Sequence, residues 1–172
     1  MRGSMQFAEA TSGVVYIHSS PAALCPHIEW ALAATLRTPA GLRWLSQPAD
    51  AGRLRATVDW VGPVGTGGRL ASALQDWPQL HFEVTENPSE GVDGERFSFV
   101  PGLGLWRGAT SANGDVVVGE MRLREIIRGC SDVTSVAAAV DRALGTVWDT
   151  ALEPYRAATA AAHLTPLRRD VG

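Results

Sequence analysis

Apolar and polar residues alternate along the chain with the period of a strand in some segments and of a helix in others. Residues 14–19 (VVYIHS) are an apolar run rich in β-branched side chains, which predicts a buried strand. Strict alternation over 53–61 and 80–86 predicts two further strands, each with its apolar side toward a core. Apolar residues three and four apart predict helices over 25–37 and 69–77.

The order of these elements defines a fold class. Residues 42–47 and 53–61 flank the turn-rich segment PADAG, which predicts a β-hairpin between the two helices. The order β-α-β-β-α-β over 13–87 is that of a ferredoxin-like core, in which two helices cover one face of an antiparallel sheet. We therefore predict a single α+β domain over 13–158. It is flanked by a predicted flexible arm and a predicted tail, residues 1–12 and 159–172.

The segment that follows the core, residues 88–118, extends the sheet. Residues 95–100 and 104–110 have strand-like patterns, and Asn113-Gly114 is a strong hairpin signal. The predicted fold is therefore a ferredoxin-like core with extra strands.

The last part of the domain, residues 119–158, is predicted to be helical. A first helix over 119–129 stops at Gly129. Asp132 then caps a longer helix, which Pro154 ends or kinks. The apolar stripe of this longer helix must be buried on the sheet, on the other helices or on a second copy of the chain. Its members are Val133, Val136, Val140, Leu144, Val147 and Trp148.

Composition narrows the function classes. Apolar residues are 45% and charged residues 19% of the 172 residues, which is enough for a packed core. The net charge of −3 argues against a large phosphate-binding surface, so nucleic acid is not expected as a partner. All 15 basic residues are arginine, which excludes a lysine Schiff base and the lysine of a P-loop.

The chain lacks targeting features. No apolar run approaches the roughly 20 residues of a membrane span, and residues 1–13 lack the apolar stretch of a signal peptide. The two cysteines, Cys25 and Cys130, cannot form a disulfide framework. These features predict a cytoplasmic protein that does not associate with a membrane.

A first cluster of reactive residue types lies in the segment HSSPAALCPHIEW, which contains His18, Cys25, His27 and Glu29. Spacing brings at most two of these together, whereas a zinc site needs three or four ligands, so no metal is predicted. Cys25 falls at a helix N-terminus, where a thiol pKa can be lowered. The competing interpretation is that Cys25 is a small buried hydrophobic residue and that the segment is a helix start.

A second candidate is the glycine-rich segment that leads from the strand over 53–61 into the next helix. Such a segment can present backbone amides to an anion, with an arginine adding charge. It matches neither GxxxxGK[ST] nor GxGxxG, and its glycines also suit a tight turn. The candidate ligand-binding residues here are Gly65, Thr66, Gly67, Gly68 and Arg69.

A third candidate is the sheet face that points away from the two predicted helices. His81, Glu83, Asp59 and Arg55 on this face form a possible acid–base constellation, since histidine beside a carboxylate is the usual proton-transfer pair. The alternative is a solvated or salt-bridged face, which is normal for an antiparallel sheet. The alternation places on this face Arg43, Arg53, Arg55, Thr57, Asp59, His81, Glu83 and Thr85, joined by Tyr16 and His18 from the first strand.

Several long stretches resemble one family of small actinobacterial proteins, the domain-of-unknown-function family 3145. The resemblance covers residues 13–156 and includes GVVYIHSSPAALCPHIEWAL, WVGPVGTGGRLASAL, FEVTENPSEGVDGERF, ANGDVVVGEMRLR and LGTVWDTALEPYR. The family implies no activity and no catalytic residues. It implies an association with fatty-acid synthesis, which would make a fatty-acid synthesis enzyme or an acyl carrier a partner.

Two function classes follow. The first is a cytoplasmic, non-catalytic binding or regulatory protein without a cofactor, acting through a protein partner or a small ligand. The second is a small acyl-CoA- or nucleotide-binding enzyme that uses the glycine-rich segment, with His18 or Cys25 nearby. A homodimer joined through the polar sheet faces is a third possibility, which light scattering tests.

Overall fold

One antiparallel sheet organises the protein, whose computed structural model describes residues 10–164. Within these residues the sheet has seven strands in the order β2-β3-β1-β4-β5-β6-β7. Every neighbouring pair is antiparallel. The strands are β1 (Ala10–Pro21), β2 (Leu45–Ser46), β3 (Arg53–Pro63), β4 (His81–Glu86), β5 (Gly94–Val100), β6 (Gly104–Thr110) and β7 (Val116–Val117).

Five α-helices accompany the sheet in the described part of the chain, so the predicted α+β class is confirmed. A short 3-10 turn, Ala22–Leu24, leads into the first of them. None of these helices is long and apolar enough to cross a bilayer. The helices are α1 (Cys25–Leu36), α2 (Thr66–Leu74), α3 (Glu120–Gly129), α4 (Val133–Leu144) and α5 (Thr146–Leu164).

The core lies between the sheet and the helices α1 and α2. The alternation predicted for β4 is observed, since Phe82 and Val84 are fully buried and point to the core side. Ile28 and Leu32 of α1 and Leu70 of α2 are also fully buried in the same cluster. Burying a side chain of this size contributes about 1.5–3 kcal/mol, so this layer holds the first half of the chain together.

The strand β1 begins earlier than predicted. Ala10 pairs with Pro63 and Gly13 with Glu86, so residues 10–12 of the predicted arm belong to the sheet. Residues 1–9 lie outside the described residues. Gly13 explains the close pairing, because a Cβ there would lie 1.8 Å from the carbonyl oxygen of Thr85.

The prediction of a single helix after Asp132 is wrong, because the structure has two helices there. Asp132 does cap α4, with its side chain accepting from the Ser135 amide at 2.9 Å. Gly145, with φ +77°, then ends α4, and the chain turns into α5. Part of the predicted apolar stripe is exposed, since 86% of the Val133 surface is accessible to solvent.

The helix α5 continues past Pro154 to Leu164, so residues 159–164 of the predicted tail are helical. Residues 165–172 lie outside the described residues. Proline lacks the amide that an interior helical position donates, and its ring disfavours the preceding turn. Contacts to the sheet on both sides of the proline, from Asp149 before it and Arg156 after it, offset that cost.

Candidate ligand-binding site

The helix α5 crosses the polar face of the sheet. Its Arg156 pairs with Glu83 of β4, and its Asp149 pairs with Arg96 of β5 at 3.0 Å. The Tyr155 hydroxyl lies 3.3 Å from His81 Nε2. The polar face of the sheet is therefore partly covered, and a cavity remains between α5 and the sheet.

A β-bulge in β1 places the first residue of the site. Ile17 pairs with Phe82 and Ser19 with His81, so His18 is an extra residue on the β4 side. Bulges re-aim a side chain and are common next to functional sites. The ring of His18 points to Glu83, whose Oε2 lies 2.7 Å from His18 Nε2, and both residues are buried.

Glu83 stands at the centre of a hydrogen-bonded network. Arg156 donates from Nε to Oε2 at 2.9 Å and from Nη2 to Oε1, which is a bidentate arrangement. Ser98 Oγ is 3.4 Å from Oε1. Arg156 also donates to Asp149 Oδ1 at 2.9 Å, so the network extends from His18 to the start of α5.

The partners of Glu83 decide its charge. Burial alone would raise the pKa of the carboxyl, but hydrogen bonds from His18 and Arg156 outweigh burial and lower the pKa to about 2. Burial likewise opposes the charge of Arg156, but Glu83 and Asp149 raise its pKa. Glu83 is thus a carboxylate at neutral pH, and it acts as an acceptor rather than as a proton donor.

The cavity between α5 and the sheet has a volume of about 530 Å³. Its lining carries three guanidinium groups, from Arg55, Arg96 and Arg156, against one carboxylate, that of Glu83. The volume falls in the range of small-molecule pockets. Because Glu83 and Asp149 pair with Arg156 and Arg96, the charge that favours an anion is that of Arg55. The lining also includes Tyr16, His18 and Ala160.

Two lining side chains have distinct chemistry. Burial, with the charges of Glu83 and Asp59, raises the pKa of Tyr16, so its phenol remains a neutral hydroxyl. Its ring lies parallel to that of His18, with centroids 6.0 Å apart. Arg55 donates from Nε to the Ser46 carbonyl at 3.1 Å. Among the described residues no carboxylate lies within 4 Å of its guanidinium, whereas Arg96 and Arg156 are both in ion pairs.

Only two of the four residues in the predicted acid–base constellation lie at the cavity. Glu83 and Arg55 line the cavity, but His81 and Asp59 do not. Glu83 takes His18 as its histidine partner. His81 instead contacts Tyr155, and burial, assisted by the charge of Arg53, lowers its pKa.

Cys25 occupies the first position of α1, as the sequence predicts, but its surroundings do not favour a reactive thiol. The side chain is buried, its Sγ lies 3.7 Å from the Pro21 carbonyl, and burial raises its pKa. The thiol therefore stays protonated near neutral pH, which supports the interpretation of Cys25 as a small buried residue.

The other residues of this segment also have local partners. His27 contacts Trp30, and Glu29 accepts a hydrogen bond from the Trp44 indole at 2.7 Å. Among the described residues no three His, Cys, Asp or Glu side chains could hold a metal ion together.

The glycine-rich segment is differently built from the predicted loop. Gly65, with φ +87°, makes the turn, and α2 begins at Thr66, so Gly67 and Gly68 are helical. The buried carboxylate of Glu86 accepts from the amides of Gly65 and Gly67, each at 2.7 Å. The anion that this helix start favours is thus supplied by the chain itself, and an external anion would compete with it. Arg69 donates to Thr66 Oγ1 at 2.7 Å.

Glu86→Ala is expected to lower the free energy of unfolding by about 1–2 kcal/mol, because two amides lose their capping acceptor. Chemical denaturation of the full chain measures this. Glu90→Ala, on the loop after β4, is the control and is expected to change stability by less than about 0.5 kcal/mol. Equal effects of the two changes would contradict the capping role.

Residues of α5 were missed as site residues. Asp149 and Arg156 lie seven positions apart, which is two helical turns and one face, so their spacing was a usable signal. That signal does not say which sheet residues the pair meets. The contact between Arg156 and Glu83 joins positions 73 residues apart and depends on the path of the whole C-terminal segment.

These features define an α+β protein with an arginine-lined cavity between an antiparallel sheet and a crossing helix. The sequence matches the family described as "Protein of unknown function (DUF3145)" over residues 14–169. The chain belongs to this family, as the resemblance in its sequence indicated. Comparison with curated proteins gives no match, and neither does comparison with solved structures.

Proposed function

We propose that this protein binds a small organic anion in the cavity between α5 and the sheet. The observation that carries the proposal is Arg55, a cavity arginine with no carboxylate partner among the described residues. Arginine in a partly enclosed site is the usual partner of a carboxylate or phosphate. The role is binding or regulation, as the first hypothesis from the sequence has it.

The rest of the cavity favours an organic anion over a bare inorganic one. Ala160 contributes apolar surface, and Tyr16 contributes an aromatic ring with a neutral hydroxyl. Small-molecule sites combine apolar walls with a few polar groups that fix the ligand's orientation. A ligand with an apolar body and one acidic group fits this arrangement.

Arg55→Met is expected to weaken binding of 3-phenylpropionate or octanoate at least tenfold, because a charge-assisted hydrogen bond contributes about 1.5–3 kcal/mol. Calorimetric titration of the full chain measures the dissociation constants. Arg69→Met is the matched control, since Arg69 lies outside this cavity. Equal affinities in all three proteins, or no binding by the unaltered chain, would overturn the proposal.

The second candidate is an acyl-CoA- or nucleotide-binding enzyme that uses Gly65–Arg69. The position of Arg69 beside the start of α2 favours it, whereas the bonds from Gly65 and Gly67 to Glu86 oppose it. Coenzyme A in the same titration separates the two candidates. Binding of coenzyme A that Arg69→Met abolishes and Arg55→Met leaves intact would favour the enzyme.

Several narrower predictions belong to the same proposal. A ferredoxin-like core is supported by the order β2-β3-β1-β4 with α1 and α2 as its two helices. An actinobacterial origin, a cytoplasmic location and a fatty-acid synthesis enzyme or acyl carrier as partner stay predictions. So does the homodimer, although α5 occupies part of the face on which it was expected.

A further inference from the structure

The ring of His18 is a hydrogen-bonding group at the cavity, and its contact with Glu83 determines which ring nitrogen donates and which accepts. His18 Nε2 lies 2.7 Å from a Glu83 oxygen. Because a carboxylate only accepts, the ring carries a proton on Nε2. In the neutral ring the other nitrogen, Nδ1, is then an acceptor.

The acceptor Nδ1 faces no protein donor. It has no hydrogen-bond partner among the described residues. It is also not one of the fully buried side-chain nitrogen and oxygen atoms that lack a partner there. His18 lines the cavity. Nδ1 is therefore the ring nitrogen of a cavity-lining residue that remains available to a ligand.

The same bulge that aims His18 at Glu83 brings it next to Arg55. On the β3 side the register passes from Ile17↔Ala56 to Ser20↔Leu54, so His18 and Ser19 together oppose Arg55. The two residues are thus neighbours along the backbone of adjacent strands, and both line one cavity. A ligand that pairs with Arg55 therefore lies in the same cavity as His18.

We propose that the cavity selects organic anions that also carry a hydroxyl or N–H group, with the anion on Arg55 and the donor on His18 Nδ1. Glu83 is the positioning residue, since its hydrogen bond holds the proton on Nε2 and so keeps Nδ1 an acceptor. This inference rests on the proposed function, because it names the ligand class of the same cavity.

A matched set of acids tests the inference on the full chain. The probes are 3-phenylpropionate and its 2-hydroxy and 3-hydroxy derivatives, which differ only in a donor near the carboxylate. At least one hydroxylated acid is expected to bind roughly three- to tenfold more tightly than the parent, which is the gain of one hydrogen bond. In His18→Gln, whose amide still offers a donor to Glu83 but no acceptor at Nδ1, this gain is lost.

Two controls separate this inference from the proposed function. Arg55→Met weakens all three acids and leaves their relative order unchanged, and His27→Gln, on the surface of α1, changes nothing. Equal affinities of the three acids for the unaltered chain, or a hydroxyl gain that survives His18→Gln, would overturn the inference and leave the proposed function standing. No binding of any acid would overturn both.

The ring itself provides a test that needs no variant. Two-bond proton–nitrogen NMR spectra of the His18 ring report which nitrogen carries the proton. The expected result at pH 7.5 is a proton on Nε2 and a bare Nδ1, whose resonance moves on addition of a hydroxylated acid more than on addition of the parent acid. A proton on Nδ1, or equal movements with both acids, would contradict the inference.

Discussion

Glu83→Ala is expected to lower the free energy of unfolding by about 3 kcal/mol or more. The change leaves the buried His18 ring and the half-buried Arg156 guanidinium without the carboxylate that both contact. Removing one member of a buried ion pair costs about 3–5 kcal/mol, because the remaining charge keeps its desolvation penalty. Arg156 retains Asp149 as a partner, which places the expected cost at the lower end of that range.

Urea denaturation of the full chain measures this change from the shift in midpoint at constant slope. Glu95→Ala is the matched control, since Glu95 pairs with Arg107 on the neighbouring strands and that arginine is 66% exposed. Exposed pairs contribute roughly 0–1 kcal/mol. If Glu83→Ala and Glu95→Ala had the same small effect, Glu83 would not hold α5 to the sheet.

Acid is expected to destabilise the protein through the same carboxyl group. The pKa of Glu83 falls from its ordinary value of 4.5 to about 2 on folding, since its hydrogen bonds outweigh burial. The folded state therefore binds fewer protons than the unfolded state between these values. The stability that Glu83 contributes is fully present above about pH 4.5 and is lost as the pH falls toward 2.

The expected size of this loss is roughly 3 kcal/mol, at about 1.4 kcal/mol for each unit by which the pKa is lowered. Urea midpoints between pH 6 and pH 2.5 measure the dependence. Glu83→Gln removes the ionisation while it preserves the shape of the side chain, so its stability is expected to fall less steeply over that interval. Parallel curves for the two proteins would place the acid sensitivity in other carboxyl groups.

The sheet and its two core helices were predictable because local patterns encode them. Alternation in residues 80–86 identifies which side of β4 is buried, and the observed burial of Phe82 and Val84 agrees. The start of α1 at Cys25 was also predicted, since a proline in the first turn marks it. The short β2 was overestimated, because only Leu45 and Ser46 find strand partners.

The site was predictable only in part, for a geometric reason. His18, His81 and Glu83 were all candidates, and the alternation in β4 placed His81 and Glu83 on one face, two positions apart. The bulge at His18 breaks the simple register, and a bulge leaves no signal in the pattern of apolar residues. Arg156 was missed because Pro154 predicted a helix end or kink just before it.

The glycine-rich segment illustrates the opposite error. Its composition fits an anion-binding turn, and the backbone amides of Gly65 and Gly67 do bind a carboxylate. That carboxylate belongs to Glu86, which is 19 and 21 residues further along the chain. Composition predicts the kind of group that such a turn favours, but not whether the chain supplies that group itself.

Mapping where a ligand binds tests whether the functional site is the cavity under α5. Backbone amide spectra of the full chain are recorded during titration with 3-phenylpropionate and with coenzyme A. 3-Phenylpropionate is expected to shift the amides of Tyr16, Thr57 and Thr159, which lie on three elements around the cavity, and to leave Gly65–Arg69 unchanged. Shifts confined to Gly65–Arg69 with either probe, and none around the cavity, would contradict it.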